Sequence, residues 1–272
     1  MKVAIQGIKG SFHHIVAAEY FGQNIDLIEC LSFSEMPDLL LNKTAEVVIM
    51  AIENSIAGAI LPNYALIDEH QLTICGEHHL PIHHNLMGVK GQSIEDIKEV
   101  YSHPMALLQC HKFFKEYPHI KLIEDQDTAV VAKRIQEGNI EGVGAIASNM
   151  AAEIYNLEIL APEIQTIKEN ATRFFILTNS DEKSSISANK ASIKFITSHE
   201  AGSLAEILTI LAKHNLNLSK IQSMPVIETP WKYAFFADFI FDSYADYYNA
   251  INEIKEKVET LKILGEYTKG KR

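Results

Sequence analysis

The sequence predicts an α/β region followed by a smaller α+β region, and three observations predict it. Short apolar runs alternate with helix-period segments through residue 178, the pattern of crossover-connected, mostly parallel sheets. From Asn179 to Lys190 the stretch NSDEKSSISANK has no large apolar residue except Ile186, so it builds no core and reads as a linker. After it come strand, helix, strand, strand, helix and strand in about 80 residues, a ferredoxin-like βαββαβ order.

Taken in order, Val3 to Gln6 reads as a buried strand and Gly7 to Ser11 as a turn, with helical spacing through Ile15, Ala18 and Phe21. Strands are expected at 47–52, 101–102, 122–123, 143–147 and 174–177, and helices over 34–42, 62–69, 104–115, 128–137 and 148–155. Past the linker, strands are expected at 192–197, 218–226, 233–241 and near 264–267, with helices over 202–214 and 246–260. In the first of those helices Leu204, Ile207, Leu208, Leu211 and Ala212 fall on one apolar stripe that can cover a sheet. Ile251, Ile254, Val258 and Leu261 repeat the stripe in the second.

A chain of 272 residues, 47% hydrophobic and 22% charged, fills globular cores and fits two domains. Its net charge of −11 argues against sequence-independent nucleic-acid binding, which needs a basic face. Cys30, Cys75 and Cys110 contain no C-x-x-C, so neither a disulfide framework nor a zinc ribbon is implied, and a reducing compartment fits. The first apolar run reaches a turn after five residues, too short for a signal peptide, and no run approaches the roughly 18 needed to span a bilayer. The expectation is a soluble cytoplasmic protein with neither nucleic acid nor membrane as partner.

Several constellations could carry chemistry. Thr172 and Arg173, one of only three arginines, stand just before an apolar strand; they read as a carboxylate-binding pair or as a surface ion pair. Glu53, Asn54 and Ser55 follow a buried strand, where open α/β sheets bind ligands, and equally fit a cap for the next segment. Ser102 precedes Pro104, with Gln109 further along the same predicted helix, an arrangement open to anion binding or to plain capping. The turn from Gly7 to Phe12 lacks both the G-x-G-x-x-G and the Walker spacing, so no nucleotide site is supported. His79 and His83 have the spacing of helical metal ligands, but Pro81 interrupts any helix and no H-E-x-x-H is present. A G-x-S-x-G elbow is also missing.

In this order and at these separations, the segments resemble the prephenate dehydratase family over nearly the whole chain. The matching stretches are Gly7 to Phe12, Ile52 to Ser55 with Gly58, Gly76-Glu77, Ser102 to Pro104 with Gln109-Cys110, Ala145 to Ala147, and Asn170 with Thr172 to Phe174. Ala201 to Leu204, Asn217 to Ile221 and Ser223 to Pro225 look like the ACT regulatory domain of that family. The resemblance implies a catalytic domain over 1–180, two lobes similar to type II periplasmic binding proteins (1–77 with 167–180, and 78–166), and an ACT domain over 191–272. It implies that prephenate loses water and carbon dioxide without metal, nucleotide or organic cofactor. Thr172 would be the proton donor, Asn54, Ser102 and Gln109 would line the cleft, and Arg173 would hold a carboxylate. Glu53, Ser55, Ser11 and Phe174 would complete the substrate site. Gly202, Ser203, Leu204, Asn217, Ser223, Met224 and Pro225 would receive L-phenylalanine as effector.

The chain departs from the family pattern at Ile8 and Ser11, where Pro and Thr are usual, at Met105, where Gln is usual, and at Ser203, Gln222 and Met224, which replace Ala, Glu and Arg. Arogenate, with an amine in place of the keto group, is the alternative substrate, and a non-catalytic ligand sensor is the alternative of another class. By the same analogy the chain would form a homodimer or homotetramer.

Overall fold

The computed structural model describes residues 1–179, 187–226, 229 and 231–271, so the middle of the expected linker lies outside the described residues. The first region runs β1 (Lys2–Gln6), α1 (Phe12–Phe21), β2 (Asp26–Cys30), α2 (Met36–Leu41), β3 (Val47–Asn54), β4 (Gly58–Ala59), α3 (Leu61–Glu69) and β5 (Thr73–Pro81). It continues through β6 (Asn85–Gly88), β7 (Glu99–Ser102), α4 (Pro104–Phe114), β8 (Lys121–Glu124), α5 (Thr128–Gly138), β9 (Val143–Ala147), α6 (Asn149–Ile154), β10 (Glu158–Ala161) and β11 (Ala171–Thr178). Then follow β12 (Lys190–Ile196), α7 (Ser203–Lys213), β13 (Asn217–Pro225), β14 (Tyr233–Ile240), α8 (Tyr244–Lys255) and β15 (Thr260–Tyr267).

Among the described residues three sheets result. The first has the order β2-β1-β3-β11-β5 with β4 paired to β3, and β1 lies parallel to both its neighbours. The second has the order β10-β6-β9-β7-β8; β7 is parallel to β8 and β9, while β6 is antiparallel to β9 and β10. The third, β13-β14-β12-β15, is antiparallel throughout, with the βαββαβ order read from the sequence. Mixed α/β architecture was therefore legible.

The differences have local causes. The strands β2, β5, β6 and β10 escaped the sequence reading because each is short or mixes polar residues into its run, as in Asp26 to Cys30 and Gly76 to His79. His79 lies in β5, so it shares no helix with His83. The last helix stops at Lys255 instead of 260 because Thr260 already pairs with Ile196.

The chain packs as two compact units, Met1–Ile60 with His79–Phe174, and Leu61–His78 with Phe175–Arg272. This grouping cuts differently from the expected limits at 77 and 180. Within the second unit the reason is polar and invisible to hydrophobic periodicity: Lys262 donates to the Asp68 carboxylate at 2.9 Å, Lys194 joins the same carboxylate, and buried Lys190 bonds both oxygens of buried Glu77 at 2.9 and 2.8 Å. Backbones also meet closely there, since a methyl on Gly265 would lie 2.1 Å from the Ile74 carbonyl oxygen.

Candidate active site

In the first unit, the buried run from Val48 to Ile52 carries β3 outward to Asn54, its last residue. The Asn54 Oδ1 accepts the backbone N–H groups of Ile56 and Ala57 at 3.0 and 2.9 Å, which fixes the amide's orientation. Its Nδ2 then donates to Asn170 Oδ1 at 2.8 Å and Thr172 Oγ1 at 3.0 Å. Asn170 Nδ2 continues to Gln109 Oε1 at 2.9 Å, and His84 Nε2 reaches the same oxygen at 3.0 Å. Because Thr172 accepts from Asn54, its own hydrogen remains to be donated.

Asn54, His84, Gln109 and Thr172 border a hollow of about 290 Å³. Asn54, Gln109, Thr172, Ser11 and Phe174 line it, as do His13, His84, His103 and Asp127. Alternation along β11 puts Thr172 and Phe174 on this side and Arg173 on the other. Arg173 is 5% exposed and its guanidinium lies 3.8 Å from the Glu53 carboxylate; neither residue lines the hollow. Ser102 is fully buried and donates to the Ile146 carbonyl at 2.7 Å, while Ser55 accepts the Ala171 N–H at 3.0 Å. These two serines fasten strands and do not line the hollow, which the sequence could not reveal because a serine at a strand end suits either task.

Helix starts shape the rim. Ser11 caps α1 by accepting from the His14 N–H at 3.3 Å. Gly10 precedes it at φ +89°, where a methyl would sit 2.9 Å from Ala151 Cα, so only glycine fits. Asp127 caps α5 through the N–H groups of Ala129 and Val130, and burial raises its carboxyl above the usual range.

Burial also sets the protonation of the rings and thiols. The His13 pKa falls to about 3 and that of His84 to about 4, so both rings are neutral near pH 7. Desolvation pushes the thiols of Cys30 up to about 11 and Cys110 up to about 12, and Cys75 is raised as well, so none offers a thiolate nucleophile. No Lys or Arg lines the hollow among the described residues, and no group of three or more His, Cys, Asp or Glu there is arranged to hold a metal ion. No helix among them is long and apolar enough to cross a membrane.

In the second unit, a hollow of about 330 Å³ is lined by Ser203 and Leu204 with Thr197, Lys232, Tyr233 and Phe235. Gly202 turns the chain into α7 at φ +94°. Asn217, Ser223, Met224 and Pro225 lie along β13, outside that lining. Lining residues that the sequence reading did not assign to the site are His13, His84 and Asp127; the paired histidines at 13–14 and 83–84 were the available signal for the first two.

A pocket of amide and hydroxyl donors, with neutral rings and no thiolate, suits a lyase that eases a hydroxyl from carbon. Comparison with known proteins agrees. The family model described as prephenate dehydratase matches residues 3–182. The bifunctional chorismate mutase/prephenate dehydratase of Aquifex aeolicus is 35% identical over 271 residues, covering 99% of this chain and 74% of that one. Arogenate dehydratase 2 of Petunia hybrida is 34% identical over 285 residues, covering 98% and 71%. The structure of prephenate dehydratase in complex with L-Phe from Arthrobacter aurescens superposes with a TM-score of 0.87 at 23% identity, covering 98% and 90%. The chain belongs to the prephenate dehydratase family.

Proposed function

We propose that this chain converts prephenate to phenylpyruvate, water and carbon dioxide, a step toward L-phenylalanine. The observation that supports it best is the Thr172 hydroxyl, which accepts from Asn54 and borders the hollow with a hydrogen to give. In the reaction the carboxylate-bearing ring carbon loses carbon dioxide, the released electron pair aromatises the ring, and the ring hydroxyl departs. The departing oxygen takes up one proton to become water. Aromatisation supplies the driving force, so the protein's task is to stabilise charge as it moves onto that oxygen. Thr172 donates the hydrogen bond there. A hydroxyl holds its proton tightly at neutral pH, so the donated hydrogen bond, with relay of a proton from solvent, is the step assigned to it.

The amide groups of Asn54 and Gln109 keep the donors oriented, and Ser11 and Phe174 shape the wall. Arg173 acts through Glu53, on the opposite face of β11. Ser102 and Ser55 hold the strand ends that carry the site. The catalytic region spans 1–180 as two lobes of the periplasmic-binding type, and 191–272 forms an ACT domain that takes L-phenylalanine beside Gly202, Ser203 and Leu204. That domain also supports assembly into a homodimer or homotetramer. The relative from petunia makes arogenate the second substrate to test.

Purified protein incubated with prephenate or arogenate, with and without L-phenylalanine, should release phenylpyruvate from prephenate and slow when the amino acid is added. Turnover of neither substrate would refute the catalytic reading; turnover indifferent to L-phenylalanine would refute the regulatory one.

A further inference from the structure

His84 is 4% exposed and borders the hollow, yet its Nδ1 has no hydrogen-bond partner among the described residues. The hydrogen-bond chain explains how this arises. Backbone N–H groups can only donate, so Ile56 and Ala57 force Asn54 Oδ1 to accept and its Nδ2 to give. The same polarity passes through Asn170, whose Oδ1 accepts from Asn54 and whose Nδ2 donates to Gln109 Oε1. That oxygen is an acceptor, and His84 Nε2 at 3.0 Å must therefore carry a hydrogen. The ring's other nitrogen is left with a lone pair and no donor among the described residues, and the ring as a whole meets that of Phe12 in a T-shaped arrangement with centroids 5.6 Å apart. A buried acceptor without a donor costs stability, so packing alone gives no reason for a histidine here.

We propose that His84 is a positioning residue for the dehydration, acting with Asn170 to lock the Gln109 side chain with its carbonyl oxygen turned inward and its NH₂ group available to the substrate. A substrate bearing two carboxylates needs donors around it. An unlocked glutamine could rotate its amide and present a repelling carbonyl instead. The role rests on the prephenate dehydratase reading above.

The test compares His84→Leu, His84→Asn, Gln109→Leu and the His84→Leu/Gln109→Leu double variant by thermal unfolding and by steady-state kinetics with prephenate. His84→Leu should unfold at or above the parent Tm while kcat/KM falls about 10- to 100-fold, the scale of a small misplacement at a reacting centre. His84→Asn, which keeps an N–H donor, should regain part of the loss. The double variant should be no worse than Gln109→Leu alone, because both changes remove one unit. Additive losses, or a folded His84→Leu with kcat/KM within about twofold of the parent, would overturn the proposal. Histidine nitrogen NMR gives a second arm that needs no activity. The unmodified protein should show an Nε2–H ring at position 84, with mixed tautomers in Gln109→Leu, and an Nδ1–H ring would also overturn it. If the unmodified protein turns over neither prephenate nor arogenate, the function assigned above fails, and the NMR result still decides whether His84 locks Gln109.

Discussion

Two sets of partly buried polar contacts in this chain are built on opposite plans. Around Thr172 the groups are neutral amides, a hydroxyl and an imidazole, linked head to tail so that donors remain at the edge of a hollow. In the second unit the polar contacts are separate and mostly ionic: Lys190 with Glu77 and Lys194 and Lys262 with Asp68, while Ser192 donates its hydroxyl to Asp238 at 2.6 Å. A cation and a carboxylate satisfy each other, leaving little for a ligand, and desolvation penalises either one left alone. Neutral amides can be buried at lower cost and still present unused donors. The first arrangement is suited to reaction, the second to holding strands and helices in place.

Three changes probe that contrast, from the largest effect to the smallest. Thr172→Ala should lower kcat by about 10²- to 10⁴-fold with KM nearly constant, since the lost donor acts mainly in the transition state. Steady-state kinetics on protein with an unchanged unfolding curve checks it, and a parent-like kcat would remove Thr172 from the mechanism. Lys190→Met should do the reverse. It leaves buried Glu77 without this cation, although the Gly270 N–H still donates to it at 3.0 Å, and should cost about 3–5 kcal/mol in urea unfolding while turnover per folded molecule stays close to the parent value. Recovery of stability in Lys190→Met/Glu77→Leu would sharpen the point, because the pair matters less than the isolated charge.

The third concerns acid. His13 and His84 have folded pKa values lowered to about 3 and about 4, below the unfolded value of 6.5. Unfolding therefore takes up protons as pH falls below 6.5, and the stability present above that pH is lost on the way down. Each ring should remove up to about 1.4 kcal/mol per pH unit, both acting between about pH 6.5 and 4 and His13 alone below that. Denaturant unfolding of His13→Phe should show a shallower slope than the parent over this window; identical slopes would mean that the ring is not kept neutral.

Much of this was legible in the sequence because apolar periodicity reports which face is covered. The runs at 47–52 and 143–147 became central strands, and the stripe from Leu204 to Leu211 covers the third sheet. Asn54, Gln109 and Thr172 came from residue types at strand and helix ends, where ligands bind in α/β folds, together with the order of the matching segments. What periodicity cannot carry is polarity at a distance. Asn54 meets Asn170 across 116 positions and Lys190 meets Glu77 across 113, and neither pairing leaves a local trace. Residue types alone left Arg173 open between a carboxylate partner and an ion pair, and the two-residue repeat of β11 turns it toward Glu53.

The crossing of the Gly10 turn with α6 has a mechanical consequence. The Ser148 hydroxyl donates to the Gly10 carbonyl at 2.6 Å and the Tyr155 hydroxyl to that of Lys9 at 2.7 Å, beside a glycine that has no space for one more carbon. Loop and helix there form a stitched seam with no slack for sliding. Displacing the loop along the helix would break both hydrogen bonds, so the turn that leads into Ser11 is held in place on α6.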